Sequence, residues 1–332
     1  MQPVLAGAGR YSPIMEVELK LPDTAQGTEA PPAAVMATPL KLSKRMTVEQ
    51  VLQAIAVNCM AQIQANEAGV AQGIDAESLH QMRVGLRRLR SALGLFKGVL
   101  QTAADLQQEL DWLATQLGAA RDWDVLSGST LTVVAEAIPD EALISAVKLA
   151  ALDKSHEKHA AASAAVSSQR YTRLILRFTR WVNSCGWRET MSPQDPNSLT
   201  APATKFAHNM LVYHQRRLLK RGKKLHGASV NARHRVRIAA KKIRYATEFF
   251  QSLYPAKRVK PYLQALSTLQ DELGWLNDLA VADRLLKELQ DGQAHLEGGA
   301  GFIRGYLASR AKSDDKKIRK LWKKFATMKL RC

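Results

Sequence analysis

The sequence predicts an all-α protein made of two related helical bundles with pseudo-two-fold symmetry, preceded by a short extended segment. Three observations carry that reading. Ala, Leu, Gln, Arg and Lys, all good helix formers, dominate the 332 residues. Between Pro39 and Pro193 only Pro139 interrupts the chain. One motif is written twice, as LHQMRVGLRRLRSALGLFK at 79–97 and RHRVRIAAKKIRYATEFFQ at 233–251. In each copy a His is followed at +3, +7 and +10 by basic residues: His80, Arg83, Arg87 and Arg90, then His234, Arg237, Lys241 and Arg244.

Residues 1–44 form an extended segment and linker. MEVELKL (15–21) alternates like one strand, with Glu16, Glu18 and Lys20 on one face. A stretch rich in Pro, Ala, Thr and Gly follows. The first half, 45–190, opens at Thr47, an N-cap residue with Glu49 behind it. Helices are expected near 46–70, 76–99, 103–118, 122–136, 140–165 and 168–184. PQDPNSLTAP marks a linker over 191–203. The second half, 204–332, is expected to hold helices near 203–225, 229–252, 257–273, 277–291 and 299–329.

The repeat reaches past the basic helices. LGAARDWDVL (117–126) aligns with LGWLNDLAVA (273–282), placing Gly118 over Gly274 and Asp122 over Asp278. The halves are thus two units related by duplication, and a two-fold arrangement would turn both basic helices toward a shared groove. Asp122 and Asp278 are expected at helix starts, where the dipole favours a carboxylate. The other reading is that they hold the arginines from behind.

At 3.6 residues per turn, the four basic positions of each copy share an arc of roughly 80° and run about 15 Å along the helix. Met82, Leu86, Leu89, Leu93 and Phe96 form a separate apolar stripe, so one face can be buried while the other meets a ligand. Arg88 and Lys242 fall outside both stripes and read as solvated charges. A third helix repeats the spacing with Arg170, Arg173, Arg177 and Arg180. A wet helix face ordinarily mixes both signs, whereas these stripes contain no acid. Arginine suits phosphate because its planar fork makes bidentate contacts. The histidines either donate to a phosphate oxygen when protonated or brace the bundle.

The net charge of +18 is uneven. Residues 1–203 hold 19 Lys/Arg against 20 Asp/Glu, and residues 204–332 hold 29 against 10. Such a field attracts phosphate polymers or an anionic surface. A further cluster, Arg217, Lys220, Arg221 and Lys224, either lines the same groove or adds general attraction, and 312–325 reads as a solvated face. Cys59, Cys185 and Cys332 are too scattered for a disulfide framework and suit a reducing compartment. His156 and His159 read as a surface pair. No run of 18 apolar residues, signal peptide, nucleotide-binding glycine loop or nucleophile constellation is present, so no membrane span, cofactor, metal or catalytic group is expected, and the location expected is cytoplasmic.

These motifs resemble the two halves of a CHAD domain, the conserved histidine α-helical domain, over about residues 45–330. The resemblance implies two four-helix bundles around a basic groove that binds inorganic polyphosphate without catalysis. The matching positions are His80, Arg83, Arg87, Arg90, His234, Arg237, Lys241 and Arg244. MEVELKL resembles a strand of the CYTH domains that often precede CHAD domains, in too short a piece to form their tunnel. The expected partner is polyphosphate, including polymer on storage granules, with nucleic acid as a competing polyanion. The rival functions are a nucleic-acid-binding protein, which would need stacking aromatics beside the stripes, and a polyphosphate- or triphosphate-processing enzyme, which would need acidic metal ligands.

Overall fold

The computed structural model describes residues 33–73, 75–100, 102–137, 141–190, 198–223, 225, 230–313 and 315–328. MEVELKL, Lys224 and Cys332 lie outside these residues. Among the described residues there are twelve α-helices, and the β-structure is one isolated bridge, Thr47 to Pro202. The first half supplies α1 (Val48–Gln64), α2 (Glu67–Ala71), α3 (Ala76–Phe96), α4 (Ala104–Asp124), α5 (Leu131–Ala137), α6 (Glu141–Val166) and α7 (Gln169–Asn183). The second supplies α8 (Ala203–Gly222), α9 (Val230–Phe250), α10 (Ala256–Gln290), α11 (Ala294–Ser313) and α12 (Asp315–Ala326).

Local chemistry fixes several starts. The Thr47 side chain accepts from the Gln50 amide and the Gln50 side chain accepts from the Thr47 amide, a closed capping box. Glu49 instead accepts from Trp187 Nε1 at 2.9 Å and from both arms of Arg188. The end of the expected linker is docked here. Carbonyls of Leu199 and Ala201 accept from the amides of Glu49 and Val48, both at 3.0 Å, satisfying donors that a helix start leaves unpaired. Asp75 caps α3 and Ser168 caps α7.

Two expected helix breaks are absent and one unexpected break appears. α4 runs through Gly118 to Asp124 and continues into a π-helical turn at Val125–Thr130. α10 runs unbroken through Gly274 for 35 residues. The last expected helix is two, α11 and α12. A lone glycine costs a helix about 1 kcal/mol, and here packing along α4 and α10 outweighs that cost. Asp122 and Asp278 therefore sit within helices and cap nothing, a correction to their expected place.

Four helices of the first half pack on helices of the second. α1 packs on α8, α3 on α9, α4 on α10 and α6 on α11, the pattern a two-fold axis through the middle produces. The apolar cores follow the same logic and cross the halves. One gathers Leu52 and Ile55 of α1, Phe96 of α3, Phe249 and Phe250 of α9 and Leu266 of α10, with Phe96 and Phe206 stacked at 4.7 Å. The other joins Trp123, Leu126, Leu131 and Val147 to Leu286, Ile303 and Leu307. This shared packing brings the two basic helices side by side.

Candidate anion-binding groove

α3 and α9 touch through side chains that follow the basic motifs. Arg87 Nε donates to Tyr245 Oη, and the Arg87 guanidinium lies 5.9 Å from the Tyr245 ring centroid. Arg88 is not solvated. It is buried, donates to Gln62 Oε1 at 2.9 Å and Asn58 Oδ1 at 3.0 Å, and stands 5.4 Å from the Phe249 ring centroid. The expectation failed because α1 and α9 close over the sector of α3 that lies outside both stripes.

Beside this junction the ends of α4 and α10 bring their repeat motifs together. Arg83 reaches Asp122 at 3.9 Å, and the same carboxylate lies 3.6 Å from Arg284 of the other half. Asp278 stands in the equivalent place beside Arg237, and its charge supports that guanidinium against burial. Asp122 thus contacts an arginine from each half. Burial raises both carboxyls above the usual range, with Arg83 and Arg284 pulling Asp122 down and Arg237 pulling Asp278 down. An added Cβ at Gly118 would lie 3.8 Å from Arg83 Nε.

The cations crowd one another. Burial, with Arg87, Arg237 and Arg83 around it, pushes the Lys241 ammonium down to about 7. Burial and the neighbouring Arg87 lower Arg83, and burial lowers Arg237. Burial, then the charge of Arg121, holds His80 below the ordinary histidine range. His80 Nδ1 and Arg237 Nε are buried without a hydrogen-bond partner. Sequence reasoning missed Arg121 and Arg284. Arg121 lies inside the quoted LGAARDWDVL motif, one residue before Asp122, and was legible there.

The other expected site residues are placed elsewhere. Arg90 pairs with Asp111, and Arg244 with Glu248 at 2.6 Å, so the last member of each stripe is answered by a nearby acid. His234 is exposed and lines a cavity of about 320 Å³ with Arg237, Asn277, Asp283 and Arg304. The α7 stripe faces α4. Arg170 forks onto Glu109 and stacks over Trp112 at 4.2 Å, Arg177 pairs with Asp105, Arg173 donates to Gln169, and Arg180 is exposed. Glu109 is 13 residues from Asp122, about 20 Å along α4, so Arg170 and Arg177 stand away from the α3–α9 junction with acids already beside them. Arg217 and Lys220 belong to a different face, on α8. His159 is buried and bonded to Asp124 Oδ1 at 2.8 Å, not a surface residue, while His156 is exposed.

The sequence model of the family described as "CHAD domain" matches residues 54–287. This chain belongs to the CHAD family. The crystal structure of the CHAD domain from the plant Ricinus communis is 38% identical, with a TM-score of 0.78, and the match covers 87% of this chain and 96% of that one. PptA from Streptomyces chartreusis shares the CHAD fold at 14% identity, with a TM-score of 0.64 over 83% of this chain and 99% of that one. No curated protein matches the chain in sequence. CHAD domains are commonly linked to polyphosphate or triphosphate binding. Among the described residues no three of His, Cys, Asp and Glu gather as metal ligands, and no helix is long and apolar enough to cross a membrane.

Proposed function

We propose that this CHAD protein binds inorganic polyphosphate in the groove between α3 and α9 and does not turn it over. The observation that carries the reading is the charge count at the junction of the halves. Arg83, Arg87, Arg121, Arg237, Lys241 and Arg284 surround two carboxylates, Asp122 and Asp278, that are already engaged by arginines. A linear phosphate chain supplies the missing counter-charge, offers oxygens to the unpartnered Arg237 Nε and His80 Nδ1, and relieves the crowding around Lys241. The arginines fork onto phosphate oxygens while Lys241 acts as a point charge. In the free protein His80 is neutral at pH 7, and a bound anion raises its pKa. Tyr245, the ring that Arg87 contacts, is buried and is not presented for base stacking.

Labelled polyphosphate bound to the protein, challenged with single- and double-stranded nucleic acid at matched phosphate, tests the ligand. Polyphosphate is expected to resist displacement, and stoichiometric displacement by nucleic acid would overturn the reading. Phosphate release in Mg²⁺ or Mn²⁺ is expected to be nil, and metal-dependent release would make the protein an enzyme. We place the protein with cytoplasmic polyphosphate, granule-bound polymer included; a fluorescent fusion that ignores the polymer's distribution in cells would contradict that.

A further inference from the structure

On the α7 stripe two of the four arginines, Arg170 and Arg177, are answered by Glu109 and Asp105. The outer face of the α8–α9 hairpin has no such cover. Arg216, Arg217, Lys220 and Arg221 of α8 and Arg235 of α9 line an open cavity of about 640 Å³ together with Tyr213. None of these five cations pairs with a carboxylate among the described residues. Their hydrogen bonds go to uncharged oxygens. Arg217 donates to Tyr213 Oη at 2.9 Å, and Arg221 to the carbonyl of Arg235 at 3.0 Å. Burial, then the charges of Lys242 and Arg217, push the neighbouring His214 down to about 4. Like charges at helical spacing are mutually unfavourable, so an arrangement of five without an acid calls for an outside anion.

This face is separate from the groove. Arg235 and Arg237 are two positions apart on α9, which sets them about 200° apart around the helix. The lining is four arginines and a lysine, which favours phosphate oxygens. The other two lining residues are Ala232 and Tyr213, and the Tyr213 hydroxyl is already taken by Arg217. The Tyr213 ring is exposed on this face, so base stacking is the rival contact, and the single-stranded DNA arm of the test below separates a nucleic acid from a bare phosphate chain.

We propose that the α8–α9 face is a second phosphate-chain site, independent of the groove, so that one molecule holds two chains or two stretches of one chain. This rests on polyphosphate being the groove's ligand. The test is the number of short polyphosphate chains bound per protein, by calorimetry, with turbidity on adding long chains as a second readout. The wild type should bind two chains and cross-link long ones. Arg216→Glu/Lys220→Glu/Arg235→Glu, three exposed positions, should bind one and lose cross-linking; the corresponding Gln variant should do the same if the Glu variant folds poorly. Arg83→Glu/Arg237→Glu/Lys241→Glu should also bind one chain, on the outer face. A wild type that binds one chain, with the groove variant binding none, would sink the second site and leave the groove reading standing. Wild-type stoichiometry in both variants would sink both. If the site left in the groove variant prefers single-stranded DNA at matched phosphate, the assignment of this face to a bare phosphate chain is overturned.

Discussion

Lys241 is the residue whose charge the groove holds least firmly. Its folded pKa is about 7, against about 10.4 in an unfolded chain. Between those values the unfolded state binds more protons, so stability rises as pH climbs from about 7 to about 10, and the destabilising charge is fully present below 7. Lys241→Met should therefore raise the melting temperature of the free protein at pH 6, by about 2 °C or more, and raise it little at pH 10. A bound anion should restore the ammonium. Polyphosphate binding at pH 8 is expected to take up close to one proton, visible as a calorimetric enthalpy that varies with buffer ionisation heat, and Lys241→Arg should lose most of that uptake because arginine stays protonated. A buffer-independent enthalpy in the wild type would contradict this. Arg88 makes the opposite case. Arg88→Met removes two charge-assisted hydrogen bonds and leaves Gln62 and Asn58 with unmet oxygens, a loss of about 2 kcal/mol that should lower the melting temperature at every pH. A helical wheel gave the direction of Arg88 correctly. It could not show that α1 and α9 would close over that direction, and the burial of His159 against Asp124 was hidden for the same reason.

At the scale of elements, the apolar and basic stripes of α3 and α9 were legible because period alone sets them. Helix ends were less so. Gly118 and Gly274 read locally as breaks, yet α4 and α10 pass through them, since the neighbours that hold these helices together come from α6, α10 and α11. The α7 stripe was visible and its counter-charges were not, because Glu109 lies 61 residues before Arg170 and Asp105 lies 72 before Arg177. Exposed pairs of this kind contribute little, so Arg170→Gln/Arg177→Gln should leave stability and polyphosphate affinity nearly unchanged. A large loss of affinity would return α7 to the site. The joint of α8 and α12 is tighter. A Cβ on Gly222 would come within 2.0 Å of the Trp322 ring, and Gly222→Leu should cost about 1–3 kcal/mol through overpacking, read as a lower melting temperature.

For the whole molecule, the duplication in the sequence did not reveal the shared cores. Two halves could each have closed on themselves. Phe96 stacking on Phe206, and Trp123 clustering with Leu286, show that they do not. The interlock is what sets Asp122 between Arg83 of its own half and Arg284 of the other, and so assembles the groove. Total charge was a poor guide to the site, since the second half carries the excess while the groove draws on both. Its affinity should fall linearly in log–log terms with salt as counterions are released, by analogy with other phosphate polymers. The central claim meets its most direct test in a titration of labelled polyphosphate into the wild type and into Arg83→Glu/Arg87→Glu/Arg237→Glu/Lys241→Glu, with helicity checked by circular dichroism. The tighter binding event should disappear in the variant while helicity persists. A well-folded variant that keeps wild-type affinity would place the ligand outside the groove.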